Sequence, residues 1–151
     1  MTEIKQLTDK LMQVILRDFP DAQAIYLYGS FARDEQRPDS DIDLAVLLPY
    51  PRARAVGNLT MSQTQIDLAH VARRDVDLVN VRLVTPLLQT QATGRGQLIY
   101  EGDTNARMEF EMLALSMFQD VNQMRGDIVN DYLQAHGVAK RVLVMRDADL
   151  K

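Results

Sequence analysis

The residues whose types and spacing suit chemistry are two aspartates that stand one residue apart, downstream of a Gly-Ser pair. Gly29 and Ser30 are followed by ten residues and then by Asp41 and Asp43. Asp43 lies in an apolar run typical of a buried strand, where alternate side chains share a face. The two carboxylates therefore point the same way, roughly 7 Å apart at their Cα atoms for a rise of ~3.3 Å per residue. Such a pair repels itself and loses solvation unless a cation neutralises it, which indicates Mg²⁺ shared with a phosphate.

A third carboxylate strengthens the prediction of a metal site. Asp77 lies inside the apolar segment VDLVNV at 76–81, where an acid needs a cation or a proton. We therefore predict Asp41, Asp43 and Asp77 as metal ligands and catalytic residues. Three acids from two strands suit a two-metal site for in-line attack on phosphorus.

A phosphate-binding turn is predicted next to these acids. Gly29 and Ser30 lie at the junction of a predicted strand and a predicted helix. Backbone amides of the turn and the helix N-terminus are therefore expected to hold phosphate oxygens. Arg33, in the first turn of that helix, is within reach of the same phosphates.

Each of these residues also has a purely structural interpretation. The Gly-Ser pair and the first two acids are then a chance turn followed by solvated carboxylates at a strand start. Asp77 is then an edge carboxylate paired with Arg73, Arg74 or Arg82, and Arg33 is a surface arginine.

Nine elements are predicted around these residues by the apolar periodicity and by the Gly, Pro and cap residues. The alternation of helices and strands argues for an α/β or α+β layered domain around a small mixed sheet. The segment after the acidic strand, which contains Arg52 and Arg54, is expected to be a loop because Pro49 and Pro51 open it. In chain order we predict a helix at 3–18, a strand at 24–28, a helix starting near Phe31, a strand at 41–48, a helix at 62–74, a strand at 76–81, a helix from Thr85 to Gly94, a strand at 97–101 and a long helix ending at Gly137.

The long last helix carries more apolar surface than one small sheet covers, so part of it is predicted to meet a partner. The apolar residues that keep the helical period are Phe110, Leu113, Met117, Val121, Met124, Ile128 and Tyr132, and the second set that widens this face is Met108, Met112 and Leu115.

Composition excludes several classes of protein. The chain of 151 residues has 17 Lys and Arg against 21 Asp and Glu, a net charge of -4, so a long nucleic-acid substrate is not expected. There is no cysteine, which excludes disulfides and thiol chemistry. No apolar stretch approaches the ~20 residues of a membrane span, and no charged-then-apolar leader is visible, so we expect a cytoplasmic protein without membrane insertion.

The string LYGSFARDEQRPDSDIDLAVLL at 27–48 resembles the signature of the minimal nucleotidyltransferases of the polymerase-beta-like superfamily. VDLVNV resembles the third-acid strand of that family, and PLLQTQATGRGQLIYEG the helix and strand that follow it. The resemblance implies a polymerase-beta-like fold with a long C-terminal helix, Mg²⁺ on Asp41 and Asp43, and a third acid at Asp77 that completes the metal site and helps to deprotonate the attacking hydroxyl. It also implies that Gly29 and Ser30 contact the β- and γ-phosphates of ATP.

The length of the chain is similar to that of the MntA-type antitoxins of HEPN/MNT toxin-antitoxin pairs. This resemblance implies an adenylyltransferase that moves AMP from ATP to a tyrosine of a cognate HEPN ribonuclease toxin. We expect residues 1–103 to be the nucleotidyltransferase core and residues 104–151 a helical extension packed on the same domain. Two alternatives remain open: an antitoxin that only masks the toxin, and a nucleotidyltransferase for an aminoglycoside-like small molecule.

Overall fold

Four strands form one mixed sheet in a computed structural model that describes residues 2–29 and 41–135. The sheet has the order β3-β2-β1-β4, in which β1 is antiparallel to both of its neighbours and β2 is parallel to β3. The strands are β1 (Ala24–Tyr28), β2 (Ile42–Leu47), β3 (Val76–Asn80) and β4 (Gln97–Glu101). The predicted small mixed sheet is confirmed.

Helices cover both faces of this sheet, and two of them begin at the predicted caps. The Ser62 hydroxyl accepts a hydrogen bond from the Gln65 amide, and the Thr85 hydroxyl accepts one from Leu88 with Pro86 directly after it. The helices are α1 (Thr2–Asp18), α2 (Tyr50–Val56), α3 (Gln63–Ala72), α4 (Pro86–Gly94) and α5 (Thr104–Ala135), and a 3₁₀ turn (Val81–Leu83) follows β3. No helix of this described part is long and apolar enough to cross a membrane.

Strand alternation divides the core into two layers. Residues such as Leu27 and Leu44 point to one face and pack with Leu11 and Ile15 of α1 and with α3. Tyr26, Ala45 and Val79 point to the other face and pack with α4 and with Phe110 of α5. Asp43 and Asp77 share the parity of this second set, so the acids face the α4 side of the sheet.

The structure corrects the sequence analysis after the acidic strand. The expected loop is the helix α2, which carries Arg52 and Arg54. Pro51 lies in its first turn, where the missing N–H is harmless and the fixed φ favours a helix. The helix predicted near Phe31 lies outside the described residues, as does everything after residue 135.

The long helix is present, and most of the apolar residues that keep its period face outward where side chains are described. Phe110 and Ala114 are buried, whereas Leu113 is 57% exposed and Met124 63%. A helix of 32 residues is about 48 Å long, far longer than a five-residue strand, so the sheet side covers only its first turns. The predicted excess of apolar surface on this helix is confirmed, because Met117 and Val121 are exposed too, and so are Met108, Met112 and Leu115 of the second set. The side chains of Ile128 and Tyr132 lie outside the described residues.

Arg82 links the first turns of α5 to the end of the sheet at which β2 ends and β1 begins. From the 3₁₀ turn, its guanidinium donates to the Leu48 carbonyl and, at 2.8 Å, to the Gln23 side-chain oxygen. The same group lies 5.4 Å from the centre of the Phe110 ring. One half-buried cation thus joins β2, the start of β1 and α5.

We predict that Arg82→Ala lowers the free energy of unfolding by about 2 kcal/mol, because two hydrogen bonds and a ring contact are lost. Urea unfolding followed by circular dichroism measures this loss. Arg54→Ala is the matched control, since Arg54 is an exposed cation that lies 5.8 Å from the Tyr50 ring. Equal losses in the two variants would contradict the structural role of Arg82.

Candidate active site

Two carboxylates lie side by side at one end of the sheet. Asp43 of β2 pairs in register with Asp77 of the parallel strand β3, and both side chains are half-buried. Burial, and then the charges of Asp77 and Asp41, raise the pKa of Asp43 to about 6. Like charges placed directly opposite each other destabilise a sheet, so this pair opposes folding unless a ligand neutralises it.

Asp41 stands at the rim of this pair. It immediately precedes β2, is exposed, and adds to the negative potential at Asp43. Across residues 2–29 and 41–135 no three His, Cys, Asp or Glu side chains are grouped closely enough to hold a metal ion. The structure therefore brings Asp43 and Asp77 together, and the three-acid site stays a prediction.

Gly29 contacts the acid pair from the end of β1. Its φ is +76°, and a Cβ added there would lie 2.3 Å from Oδ2 of Asp43. Any other residue would both strain the backbone and displace the carboxylate. Gly29 is thus packed directly against Asp43. Ser30 and Arg33, the other predicted phosphate contacts, lie outside the described residues.

A cleft of about 340 Å³ opens beside these groups. Its second wall comes from α4 and the residue after it, which the sequence analysis did not identify as part of the site. The spacing of Leu88, Gln91 and Arg95 is three and then four residues, which places them on one side of a helix. The full lining is Tyr28, Gly29, Asp43, Asp77, Leu88, Gln91 and Arg95.

Tyr28 forms the floor of the cleft beside Asp43, its partner across the β1–β2 ladder. The residue is 7% exposed, and burial followed by the charges of Asp43 and Asp77 raises the pKa of its phenol. The phenol therefore stays protonated at neutral pH. Tyr28 therefore packs in the core and shapes the cleft.

The donor set of the cleft fits a hard divalent cation. Asp43 and Asp77 offer carboxylate oxygens, which are the ligands of Mg²⁺, and neither is ion-paired with any cation in the described part of the chain. Within the described part of the chain, the charges that act on Asp43 are those of Asp77 and Asp41, and both raise its pKa, so these residues leave an excess of negative charge at the site. Mg²⁺ would supply the missing positive charge there.

We predict that Gly29→Ala weakens binding of Mg²⁺ with the ATP analogue AMP-PNP by about 100-fold, because the new methyl group displaces Asp43. Isothermal titration calorimetry measures the change. Gly57→Ala is the control: Gly57 has a similar φ of +71° but open space around its Cβ position. The Gly57→Ala variant strains the backbone at a positive φ but brings no methyl group against a carboxylate, so it should bind Mg²⁺ and AMP-PNP like the wild type. Similar losses in both variants would show that strain alone matters.

We predict that Asp43→Asn stabilises the protein in EDTA while abolishing its response to Mg²⁺. The substitution removes a half-buried repulsion worth on the order of 1 kcal/mol after screening by solvent. Thermal unfolding with EDTA and with Mg²⁺ plus AMP-PNP tests both parts. A variant that is less stable than the wild type in EDTA would show that Asp43 has a stabilising partner.

Comparison with known proteins agrees with this geometry. The sequence pattern described as polymerase beta, nucleotidyltransferase matches residues 10–105. The protein adenylyltransferase MntA of Shewanella oneidensis is 30% identical over 131 residues, which cover 86% of this chain and 91% of the relative.

Solved structures support the same assignment. A toxin-antitoxin crystal structure with AMP-PNP has a TM-score of 0.66 at 28% identity and covers 83% of this chain and 98% of its own. A complex of tri-AMPylated Shewanella oneidensis HEPN toxin with MNT antitoxin has a TM-score of 0.62 at 26% identity and covers 88% and 99%. The family pattern spans more than half of the chain and includes Gly29, Asp43 and Asp77. The chain therefore belongs to the polymerase beta nucleotidyltransferase family.

Proposed function

We propose that this protein is a Mg²⁺-dependent adenylyltransferase antitoxin that transfers AMP from ATP to a tyrosine hydroxyl of a cognate HEPN ribonuclease toxin. The observation that carries the proposal is the in-register pair of Asp43 and Asp77 beside the Gly29 turn, in an open cleft. The relative named protein adenylyltransferase and the complex with an AMPylated HEPN toxin support the reaction and the partner. The neighbour with AMP-PNP supports ATP as the donor.

The reaction is a displacement at the α-phosphorus. The acceptor oxygen bonds to the α-phosphorus, the bond from that phosphorus to the bridging oxygen breaks, and pyrophosphate leaves. Asp77 accepts the proton of the acceptor hydroxyl, while the Gly29 amide and Ser30 hold the β- and γ-phosphates together with Arg33. Asp41, Asp43 and Asp77 would hold two Mg²⁺ ions, which when bound neutralise charge that develops on the phosphates. The contribution of the chain is positioning and electrostatics, as is usual in phosphoryl transfer.

The exposed apolar face of α5 favours a protein acceptor over a small molecule. Large exposed apolar patches mark sites of protein association, and one side of α5 exposes Leu113, Met117, Val121 and Met124. We propose that residues 1–103 carry the chemistry, that the extension at 104–151 carries the contact with the toxin, and that the pair acts in the cytoplasm. The same face also favours a second candidate function, in which the antitoxin only masks the toxin.

Incubation with ATP, Mg²⁺ and the co-expressed HEPN partner should add the mass of AMP to a partner tyrosine, and mass spectrometry of the intact partner detects it. The double variant Asp41→Asn with Asp43→Asn should bind the partner and leave it unmodified and active as a ribonuclease. If the double variant still silences the ribonuclease, masking is the function. If the wild type adds no AMP to the partner but consumes ATP with an aminoglycoside, the acceptor is a small molecule.

A further inference from the structure

Arg95 lines the same cleft as Gly29 and the two acids. In the antiparallel pairing of β1 with β4, Leu27 is opposite Gln97. Arg95 lies two residues before Gln97, at the end of α4, and it lines the cleft together with Gly29. The cleft therefore has two negative side chains, Asp43 and Asp77, and one positive side chain, Arg95, on its walls.

The backbone that carries Arg95 is held tightly against β1. A Cβ at the next residue, Gly96, would lie 2.9 Å from the Leu27 carbonyl oxygen and 3.0 Å from Cβ of Tyr28. This contact brings the end of α4 directly onto the strand that leads into Gly29. Before Arg95 in the chain, Ala92 of α4 is fully buried. The side-chain amide of Gln89, also in α4, donates a hydrogen bond to the Val81 carbonyl at 3.0 Å. The backbone at Arg95 is thus held in place by its neighbours, while the residue itself is exposed.

The guanidinium of Arg95 is available to a ligand. Arg95 is the one cationic residue lining the cleft within the described ranges, and it makes no ion pair with a residue of those ranges. The carboxylates of Asp43 and Asp77 line the same cleft without being paired to it. A cleft with carboxylates and an arginine in separate positions suits a ligand with several anionic groups. One of these groups would bind a metal held by the carboxylates, and another would contact the arginine.

We propose that Arg95 binds the β- or γ-phosphate of the nucleotide in the cleft that it lines together with Gly29 and Asp43. A guanidinium offers a rigid fork of N–H donors that matches two phosphate oxygens, and charge-assisted bonds of this kind are roughly twice as strong as neutral ones. The inference rests on the proposed function in one respect, that the ligand is a nucleoside triphosphate. It adds a positive group that the Gly-Ser and aspartate motif does not contain.

The test compares binding of AMP-PNP with binding of AMP, both with Mg²⁺, by isothermal titration calorimetry. Arg95→Ala should weaken AMP-PNP by at least tenfold and leave AMP within twofold, because AMP has no β- or γ-phosphate. Arg95→Lys should recover only part of the loss, since an ammonium keeps the charge without the fork. Arg54→Ala, which removes an exposed arginine of α2, should bind both nucleotides like the wild type.

The outcomes separate this inference from the proposed function. If Arg95→Ala binds AMP-PNP as the wild type does, or loses AMP equally, the role of Arg95 at the β- or γ-phosphate is wrong. If its nucleotide binding is unchanged and only transfer to the partner falls, Arg95 acts on the acceptor instead, and the inference is overturned. A wild type that binds no AMP-PNP contradicts the proposed function itself and the inference with it.

Discussion

The repulsion between Asp43 and Asp77 is the constraint on which the rest of this end of the molecule depends. A parallel pairing sets the two acids directly opposite each other, and burial raises the pKa of Asp43 to about 6. Unfavourable pairings persist in a fold when the surrounding structure enforces them, and they concentrate at functional sites. Here the same repulsion that opposes folding creates the affinity for a hard cation, so stability and function are in opposition at a single pair of residues.

The surrounding structure enforces the pair by packing that admits little movement. β2 is an inner strand with apolar residues on both faces, which fixes its register with β3. The Gly29 turn leaves no room for a side chain against Asp43, and Gly96 leaves none against β1. At the opposite end of the sheet, Arg82 joins strand ends to α5 and so anchors the frame far from the chemistry. The cleft thus opens at the end of the sheet, and tightly packed backbone holds the carboxylates that line it.

Local signals in the sequence were sufficient to place Asp43 and Asp77 on two strands and to predict most elements. The unusual position of Asp77 in an apolar strand and the cap at Thr85 each depend on neighbours along the chain. Three features were not accessible in this way. Pro51 ends a strand but favours the first turn of a helix, so this residue alone did not distinguish a loop from α2. Periodicity predicts which residues of α5 are apolar, but it does not predict which surface covers them. The position of Arg95 at the cleft depends on how the end of α4 packs against β1, which is a non-local property.

The central claim is that the acid pair and the Gly29 turn bind metal and nucleotide as one unit, because each supplies charge that the other lacks. Thermodynamic linkage makes this coupling measurable, since a metal that tightens nucleotide binding is itself bound more tightly in return. The most direct measurement is the dissociation constant of AMP-PNP determined by calorimetry over a range of Mg²⁺ concentrations, from EDTA to saturation. The account predicts almost no binding in EDTA and an affinity that rises with Mg²⁺ until it saturates. An affinity that is the same with and without Mg²⁺ would contradict it.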